Sequence, residues 1–221
     1  TDIEYAVNEI AFAAYGYQGQ KCSCTSRVIA VGSTYDAVLE CLVERTKQVD
    51  VGPARENRFM GPLINQAALD KVLSYIELGK QEARLAYGGR RLSEGVFAEG
   101  YYVEPTVFAD VLPQARIAQE EIFGPVVAVM RARDFDEALQ IANGTEYGLT
   151  GSVFTRNPLH MARAKREFHV GNLYINRRST GAWVGAHPFG GFNMSGTDVK
   201  LGGPDYLLAF LQPKLITRRY R

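Results

Sequence analysis

The sequence predicts a layered α/β domain in which helices flank a largely parallel sheet. Short apolar runs alternate along the chain with longer segments of helical periodicity. Several runs, among them Val126 to Met130, are apolar at every position, as is typical of strands that are buried on both faces. Repetition of strand, helix and strand with such runs is typical of α/β domains with parallel sheets. The 221 residues suffice for one large or two small domains with a substantial core.

Each predicted strand is a short apolar run. Residues 28–31 form the first strand, and residues 102–111 form an extended stretch that Pro105 interrupts. Further strands are predicted at residues 126–130, 149–154 and 170–175.

Two of the predicted helices follow from periodicity. Residues 35–49 place Val38, Leu39, Leu42 and Val43 on one face. Ser33 or Thr34 is the expected N-cap of this helix. Residues 67–83 repeat the same spacing of apolar side chains.

Two further helices are predicted from their first residues. Asp134 begins one helix, with Glu137 three residues on as its capping partner. Asn157 begins the other, which runs to about Phe168, because a cap followed by Pro158 favours a helix start.

The longest irregular stretch, residues 177–206, contains seven Gly and two Pro. Long loops without periodicity are usually functional or disordered. Its aromatic residues, Trp183, Phe189 and Phe192, favour an ordered and functional loop.

Composition excludes several classes of partner. The 25 basic and 24 acidic residues leave a net charge of +1, which disfavours nucleic acid binding. No apolar run approaches the ~18 residues of a membrane span, so no membrane interaction is expected. Three cysteines are too few for a disulfide framework, and the odd number favours a reducing compartment such as the cytoplasm.

One cysteine stands in a setting that favours a nucleophile. Cys22 follows a Gly-Gln-Lys run, precedes a predicted strand and has Lys21 and Arg27 nearby. A free thiol is only a few per cent thiolate at neutral pH, and nearby cations or main-chain N–H groups raise that fraction. The alternative is that Cys22 and Cys24 are small buried residues beside a strand, since cysteine is commonly buried.

No metal site is expected. Cys22 and Cys24 lack a second Cys or His pair at ligand spacing, and Cys41 falls on the apolar face of a helix. A catalytic couple of Cys22 with His187 stays open, although no residue pattern supports it.

Two acidic residues, Glu120 and Glu121, stand just ahead of the strand at residues 126–130. Paired acids in such a position are usually solvated, but a carboxylate there could bind ribose hydroxyls of a dinucleotide. No G-x-G-x-x-G or Walker sequence follows a predicted strand, so the chain itself shows no phosphate-binding loop.

Three short motifs then occur in a fixed order and spacing. They are Gly19-Gln20-Lys21-Cys22, Glu120-Glu121-Ile122-Phe123-Gly124-Pro125-Val126, and Pro188-Phe189-Gly190-Gly191 followed by Ser195-Gly196. Together they resemble the signatures of the aldehyde dehydrogenase family, and the resemblance covers essentially the whole chain. Further runs at residues 166–176 and 180–207 are similar to the branch of that family that oxidises L-glutamate γ-semialdehyde.

The resemblance implies a division of the chain. Residues 1–207 would form the cysteine-bearing catalytic domain, and residues 208–221 an extended tail that pairs with a neighbouring subunit in a homo-oligomer. The family's Glu-Leu-Gly-Gly motif, whose glutamate serves as general base, has no counterpart in the chain. That base and the NAD-binding domain would therefore lie upstream, in a longer parent chain.

The resemblance also implies roles for the residues that match its motifs. Cys22 would attack the aldehyde carbon, and its main-chain N–H would help to hold the oxyanion. Glu121 would hold the nicotinamide ribose and Phe123 would pack near the nicotinamide. Lys71 would approach the adenine ribose.

The implied substrate pocket uses four other residues. Ser23, Gly181 and Ala182 would line the part that takes the substrate's carboxylate and amine, and Phe189 would pack against its aliphatic chain. Many close relatives have Ser where this chain has Ala182, so one hydrogen bond to the substrate would be missing.

The implied activity is the NAD-dependent oxidation of L-glutamate γ-semialdehyde to glutamate through a thiohemiacetal and a thioester on Cys22. This aldehyde arises from Δ1-pyrroline-5-carboxylate in proline catabolism. One alternative is another aldehyde dehydrogenase, for example the dehydrogenase module of a bifunctional proline-utilisation protein. The other is a non-catalytic assembly module.

Overall fold

The computed structural model describes residues 2–183, 185–197 and 199–220. The helices are α1 (Ile3–Tyr15), α2 (Tyr35–Lys47), α3 (Gln66–Glu82), α4 (Arg116–Gln119), α5 (Phe135–Asn143) and α6 (Pro158–Glu167). The strands are β1 (Arg27–Val31), β2 (Arg84–Tyr87), β3 (Arg91–Leu92), β4 (Tyr102–Val103), β5 (Thr106–Ala109), β6 (Val126–Ala132), β7 (Thr150–Val153) and β8 (Asn172–Ile175). Thr1 and Arg221, the ends of the predicted domain and tail, lie outside the described residues, as do Val184 and Asp198 in the predicted motif at residues 180–207.

The main sheet has the strand order β1-β6-β5-β2. Strand β6 pairs in parallel with both β1 and β5, and β7 pairs in parallel with β8 in a separate sheet. The prediction of a largely parallel α/β fold is therefore confirmed. Two short ladders are antiparallel, namely β2 with β5 and β3 with β4.

Strand β2 was missed because it follows α3 with no turn residue between them. The helical spacing at residues 67–83 continues into Ala83, which caps α3, and Arg84 already begins the strand. Pairing with β5 decides the conformation of this segment, and that pairing is a tertiary contact.

The core lies on both faces of the main sheet. Along β6, Val127 and Val129 pack with α1 and α2, whereas Ala128 and Met130 pack with α3 and α5. This alternation confirms that the wholly apolar run is a strand buried on both sides, as expected for a parallel sheet between two helical layers.

Helix α1 carries the segment that leads to Cys22, and the sequence interpretation did not include it. Asp2 caps this helix, because its carboxylate accepts a hydrogen bond from the Tyr5 N–H at 3.0 Å. Buried residues on its inner face include Val7, Ala11 and Tyr15, at helical spacing. Both signals are present in the sequence.

The predicted starts of two later helices are confirmed in detail. The Asp134 side chain accepts from the Glu137 N–H at 2.9 Å, and the Asn157 side chain accepts from the Leu159 N–H at 2.9 Å. Thr34 is the N-cap residue of α2, as predicted, but its side chain makes no capping hydrogen bond. Thr34 already has helical dihedrals at the end of a 3₁₀ turn, and its hydroxyl donates to the Val31 carbonyl instead.

The C-terminal segment differs in part from the predicted extended tail. Residues 208–210 end a 3₁₀ helix, Pro204–Phe210, whereas residues 211–220 have no regular secondary structure. The large apolar side chains of this tail are exposed: Leu208, Phe210, Leu211, Leu215, Ile216 and Tyr220. None of the described helices is both long and apolar enough to cross a membrane.

Candidate active site

Cys22 occupies an exposed turn between α1 and β1. The turn closes where the Cys24 N–H donates to the Lys21 carbonyl at 3.0 Å. Among the described residues, no acceptor engages the main-chain N–H of Cys22 itself. The alternative in which Cys22 is a small buried residue is therefore wrong, and both its thiol and its N–H are free to meet a ligand.

The turn is anchored to its surroundings on two sides. The Thr25 N–H donates to the Ala13 carbonyl of α1 at 3.3 Å. The Gln20 side chain accepts a hydrogen bond from the Ile64 N–H at 3.1 Å. The position of Cys22 is thus set by main-chain groups on α1 and on the segment before α3.

Two of the sequence motifs touch at Gly19. A Cβ placed on Gly19 would lie only 2.1 Å from the carbonyl oxygen of Gly124, and Gly19 has a φ of +69°. Only glycine combines this φ with such a close approach to another main chain. The Cys22 turn therefore lies directly against the Glu-Ile-Phe-Gly-Pro segment.

The two cations that precede and follow Cys22 in sequence are engaged elsewhere. The Lys21 ammonium lies 4.1 Å from the centroid of the Tyr17 ring. The Arg27 guanidinium donates to the carbonyls of Ile141 and Ala142 at the end of α5. Neither cation forms a contact with the Cys22 thiol in the described part of the chain, so the free main-chain N–H is the better candidate for stabilising charge there.

Cys24 differs from Cys22 in its environment. Its Sγ lies 3.7 Å from the Gly16 carbonyl, and burial raises the pKa of its thiol. A raised pKa leaves less thiolate at neutral pH, so Cys24 is the weaker nucleophile of the pair.

The paired acids ahead of β6 have separate roles. Arg116 donates to both oxygens of Glu120, and Tyr75 donates to one of them at 2.6 Å. These hydrogen bonds lower the pKa of Glu120 to about 2. The Glu121 carboxylate is exposed and makes no hydrogen bond among the described residues, so it is the acid that is available to a ligand.

Two other residues of the predicted cofactor site lie beside Glu121. The Lys71 ammonium donates to the Glu121 carbonyl at 2.8 Å. Phe123 is 40% exposed and has a φ of +59°, which is rare for an aromatic residue. A strained backbone that presents an aromatic ring to solvent is typical of a ligand site.

Cys22 and Glu121 both line a cavity of about 740 Å³. All residues of β1 and all residues of β7 line it. Of the other predicted site residues, Lys71, Phe123, Ser23, Gly181, Ala182 and Phe189 do not line this cavity.

The segment after β8 runs alongside α1 towards the Cys22 turn. Its first contact is the Tyr5 hydroxyl, which donates to the Asn176 carbonyl at 3.1 Å. Next, Arg178 pairs with Glu9 at 3.3 Å and stacks over Phe12 at 3.9 Å. These contacts follow α1 from its first turn to its last.

The same segment is tied to the turn by Ser179. The Ser179 hydroxyl donates to the Ser23 carbonyl at 3.0 Å and lies 3.0 Å from the Thr25 hydroxyl. Gly181 and Ala182 follow this contact by two and three residues. Sequence interpretation missed Ser179 because a serine in a loop has no distinctive pattern.

The third motif is held from β8. Phe189 is half-buried and pairs with Leu201 through two main-chain hydrogen bonds of 2.8 and 2.7 Å. The Asn172 side chain donates to the Pro188 carbonyl at 3.0 Å and accepts from the Gly190 N–H at 3.3 Å. Towards β8, the motif is therefore held by the Asn172 side chain rather than by main-chain pairing.

The Lys200 side chain also connects this motif to Gly171, the residue before β8. Its ammonium donates to the carbonyls of Gly171 and Gly190, and burial lowers its pKa. A Cβ on Gly171 would lie 1.7 Å from the Gly190 oxygen, so the two main chains touch there. These contacts hold the segment around Phe189 beside the start of β8.

No hydrogen bond joins His187 or His169 to Cys22 among the described residues, whereas His160 lines the cavity that Cys22 also lines. His187 accepts a hydrogen bond from the Trp183 N–H at 3.3 Å, and the His169 ring lies 4.4 Å from the Phe192 ring at a tilt of 31°. The couple of Cys22 with His187 gains no support from any contact between the described residues. Over the described ranges, no group of three His, Cys, Asp or Glu residues is arranged to hold a metal ion.

Comparison with known proteins places this geometry in one family. The model of the "Aldehyde dehydrogenase family" matches residues 1–216. The 1-pyrroline-5-carboxylate dehydrogenase of Geobacillus kaustophilus is 58% identical over 220 residues, which are 99% of this chain and 42% of that protein. The 1-pyrroline-5-carboxylate dehydrogenase 2 of Bacillus subtilis is 55% identical with the same coverage. The chain thus spans less than half the length of these curated relatives.

Solved structures agree with the sequence comparisons. The Thermus 1-pyrroline-5-carboxylate dehydrogenase with bound NAD has a TM-score of 0.92 and 55% identity over 96% of this chain and 40% of its own. Proline utilization A from Bdellovibrio bacteriovorus has a TM-score of 0.90 and 46% identity over 96% of this chain and 22% of its own. Since the family model covers residues 1–216 and the cysteine turn lies against the acid-bearing segment, the chain belongs to the aldehyde dehydrogenase family.

Proposed function

We propose that this chain is the cysteine-bearing catalytic part of an NAD-dependent enzyme that oxidises L-glutamate γ-semialdehyde to glutamate. The observation that carries the proposal is the exposed Cys22, with a free main-chain N–H, on a cavity that it shares with the free carboxylate of Glu121. Relatives of 55% to 58% identity are 1-pyrroline-5-carboxylate dehydrogenases, which supports this choice of aldehyde.

Cys22 performs the covalent step. Its thiolate attacks the aldehyde carbon, so that a C–S bond forms while the carbonyl electron pair moves to oxygen. The Cys22 N–H donates to that oxyanion, and a fixed donor of this kind stabilises the transition state without reorganisation. The product of this step is a thiohemiacetal on Cys22.

The exposed groups beside the turn fit a nicotinamide dinucleotide. The Glu121 carboxylate can accept hydrogen bonds from ribose hydroxyls, as acids do in dinucleotide sites. The Phe123 ring is presented to solvent next to it and would pack near the nicotinamide, and Lys71 would approach the adenine ribose. When bound, NAD supplies the acceptor for the hydride that leaves the thiohemiacetal carbon.

Hydrolysis then frees the enzyme. Loss of hydride leaves a thioester on Cys22, and water attacks its carbonyl carbon. The new C–O bond replaces the C–S bond, and Cys22 leaves as thiolate. The base that takes the proton from water belongs, in this proposal, to the parent polypeptide upstream of Thr1.

The acyl chain would lie between two loops. Ser23, Gly181 and Ala182 would hold the carboxylate and amine end, next to the Ser179 tether. Phe189, held by its pairing with Leu201, would pack against the aliphatic carbons. Ala182 brings no hydroxyl to this pocket, so main-chain groups take a larger share of the binding.

We also propose that this chain is part of a longer parent polypeptide. Strands β1 and β7 both line one cavity, and neither forms a ladder with the other in the described ranges. Unpaired strand edges readily bind further chain. We infer that the parent polypeptide covers this cavity and contributes the NAD-binding domain. Its homo-oligomeric state and cytoplasmic location remain predictions.

The test is the substitution Cys22→Ala in the parent polypeptide. We expect NADH formation with the semialdehyde to fall to background while NAD still binds, because only the nucleophile is removed. The matched control is Cys41→Ala, which changes a cysteine on α2 that does not line the cavity. A Cys22→Ala variant with normal kcat would show that the nucleophile is assigned wrongly. The 221-residue chain by itself is expected to form no NADH.

A further inference from the structure

We propose that Arg177 is a positioning residue that turns two main-chain N–H groups, those of Gly181 and Ala182, towards the carboxylate of the substrate. The inference deepens the proposed function and rests on it for the identity of the substrate. The two N–H groups would form a small anion-binding site beside Cys22, and the geometry of this site would depend on the Arg177 guanidinium group.

The Arg177 side chain donates hydrogen bonds to the main chain of the loop that follows it. Its Nη2 lies 3.2 Å from the Thr180 carbonyl oxygen and 3.4 Å from the Gly181 carbonyl oxygen. One donor group therefore holds two successive peptide groups. Both carbonyls must point to the same side, towards the guanidinium.

The opposite side of those peptide groups then carries the donors. A trans peptide is planar, with its C=O and N–H pointing in opposite directions, and the described chain has no cis peptide bonds. The N–H groups of Gly181 and Ala182 therefore point away from Arg177. Neither of them meets an acceptor in the described ranges.

The backbone conformation agrees with an anion-binding turn. Gly181 has a φ of +88°, in the left-handed region that glycine favours. Successive N–H groups around a residue of this kind form a concave site for anions. A Cβ on Gly181 would also lie 3.3 Å from the Arg177 Nη2, so the turn and the guanidinium are fitted to each other.

Electrostatics favour an anion at the same place. Arg178 pairs with Glu9, whereas Arg177 forms no ion pair with any described carboxylate. Its guanidinium lies 4.6 Å from the centroid of the Tyr174 ring, which holds it without neutralising it. The positive charge therefore adds to the field at the two N–H groups.

The site lies within reach of the nucleophile. Ser179 is bound to the Ser23 carbonyl, one residue after Cys22. Gly181 follows Ser179 by two residues, which span at most about 7 Å of extended chain. An aldehyde with a carboxylate a few bonds away can therefore place one end at Cys22 and the other at the N–H pair.

The test measures anion preference at Cys22 in the chain as it stands. Iodoacetate and iodoacetamide alkylate the same thiol and differ in charge. Mass spectrometry of the Cys22 peptide gives the two rate constants, apart from those of Cys24 and Cys41. We expect Arg177→Met to lower the ratio of iodoacetate to iodoacetamide rates by about threefold to tenfold, which is the net effect of about one ordinary hydrogen bond. An unchanged ratio would overturn the proposal.

A second variant separates positioning from charge. Arg177→Lys keeps the charge but lacks the planar fork that engages two carbonyls. A ratio below that of the wild type supports positioning, because the charge is kept, and a ratio equal to the wild type overturns it. This variant decides the question also if Arg177→Met does not fold. Arg166→Met, on the exposed face of α6, is the matched control and should leave the ratio unchanged.

Kinetics of the parent polypeptide provide the link to function. There, Arg177→Met should raise KM for the semialdehyde. KM for pentanal, an uncharged aldehyde, should stay nearly unchanged, as should kcat for both substrates. A general loss of structure would change the kinetic constants for both substrates alike. If the wild-type parent oxidises neither aldehyde, the proposed function fails, while the alkylation ratio still decides the role of Arg177.

Discussion

At the scale of single residues, the site depends on side chains that are missing as much as on those present. Gly19 lets the Cys22 turn touch the main chain at Gly124, and Gly181 permits the turn that presents two N–H groups. Cys22 is exposed, whereas burial of Cys24 raises the pKa of its thiol. Neighbouring cysteines therefore differ in chemistry because their surroundings differ.

The substitution Gly19→Ala is predicted to be severe. The new methyl group would collide with the Gly124 carbonyl, and alanine is strained at a φ of +69°. We expect the free energy of unfolding to fall by roughly 1–3 kcal/mol, the usual cost of such backbone strain. Chemical denaturation of the 221-residue chain measures it.

The matched control for this prediction is Gly16→Ala. Gly16 has a φ of −57°, and no atom lies within 4 Å of a Cβ placed on it. This variant should be as stable as the wild type. Equal stability of both variants would mean that the contact between Gly19 and Gly124 is not tight.

At the scale of elements, three segments converge on the nucleophile: the end of α1, the segment before β6 and the segment after β8. The segment after β8 contacts α1 through Arg178 and is tied to the Cys22 turn through Ser179. The segment before β6 is fixed by α3 and α4, because Tyr75 and Arg116 both bind Glu120. Anchoring Glu120 leaves its neighbour Glu121 free.

The anchor of Glu120 predicts a pH dependence of stability. The pKa of Glu120 is about 2 in the folded chain against a usual value of 4.5. As pH falls below 4.5, the unfolded chain takes up the proton first, so the stabilisation is lost progressively down to about pH 2. Above the usual value, the stabilisation is fully present.

The measurement compares Glu120→Gln with the wild type by denaturant unfolding at several pH values. The variant should be less stable at neutral pH, and the difference should shrink as the pH falls towards the acid range. Glu99→Gln is the control, because Glu99 is exposed and its side chain makes no ion pair among the described residues. A difference that does not depend on pH would contradict an ionised Glu120 anchor.

At the scale of the whole molecule, the chain has surfaces that it does not itself cover. The cavity lined by β1 and β7 is one such surface, and the exposed apolar tail at residues 211–220 is the other. Exposed apolar segments of this size commonly mark interfaces. We expect the parent polypeptide to cover the first and a neighbouring subunit to cover the second.

Removal of residues 211–221 from the parent polypeptide should therefore lower its oligomeric state, as measured by light scattering after size-exclusion chromatography. Domain stability should change little, because these side chains are exposed rather than packed. The double variant Leu215→Ser/Ile216→Ser should act in the same direction, and Arg219→Ser should not. An unchanged mass for the truncated protein would exclude the tail as an interface.

The sequence by itself determined the α/β class, most of the strands, the starts of the later helices and the three motifs. These follow from local patterns, namely wholly apolar runs, helical spacing and capping residues, which act within a few residues of chain. Helix α1 also has such local patterns, namely the capping residue Asp2 and apolar residues at helical spacing, so the sequence contains the information for this helix too. Strand β2 had no local signal, since its pairing with β5 alone decides it.

Only the tertiary structure decided the state of each functional side chain. It exposed Cys22, engaged Lys21 and Arg27 elsewhere, and anchored Glu120 rather than Glu121. It also brought Ser179 to the Cys22 turn across more than 150 residues of chain, and Arg177 to the carbonyls of its own loop. Burial, partners and main-chain direction are set by packing between distant segments, so residue type and spacing alone do not contain them.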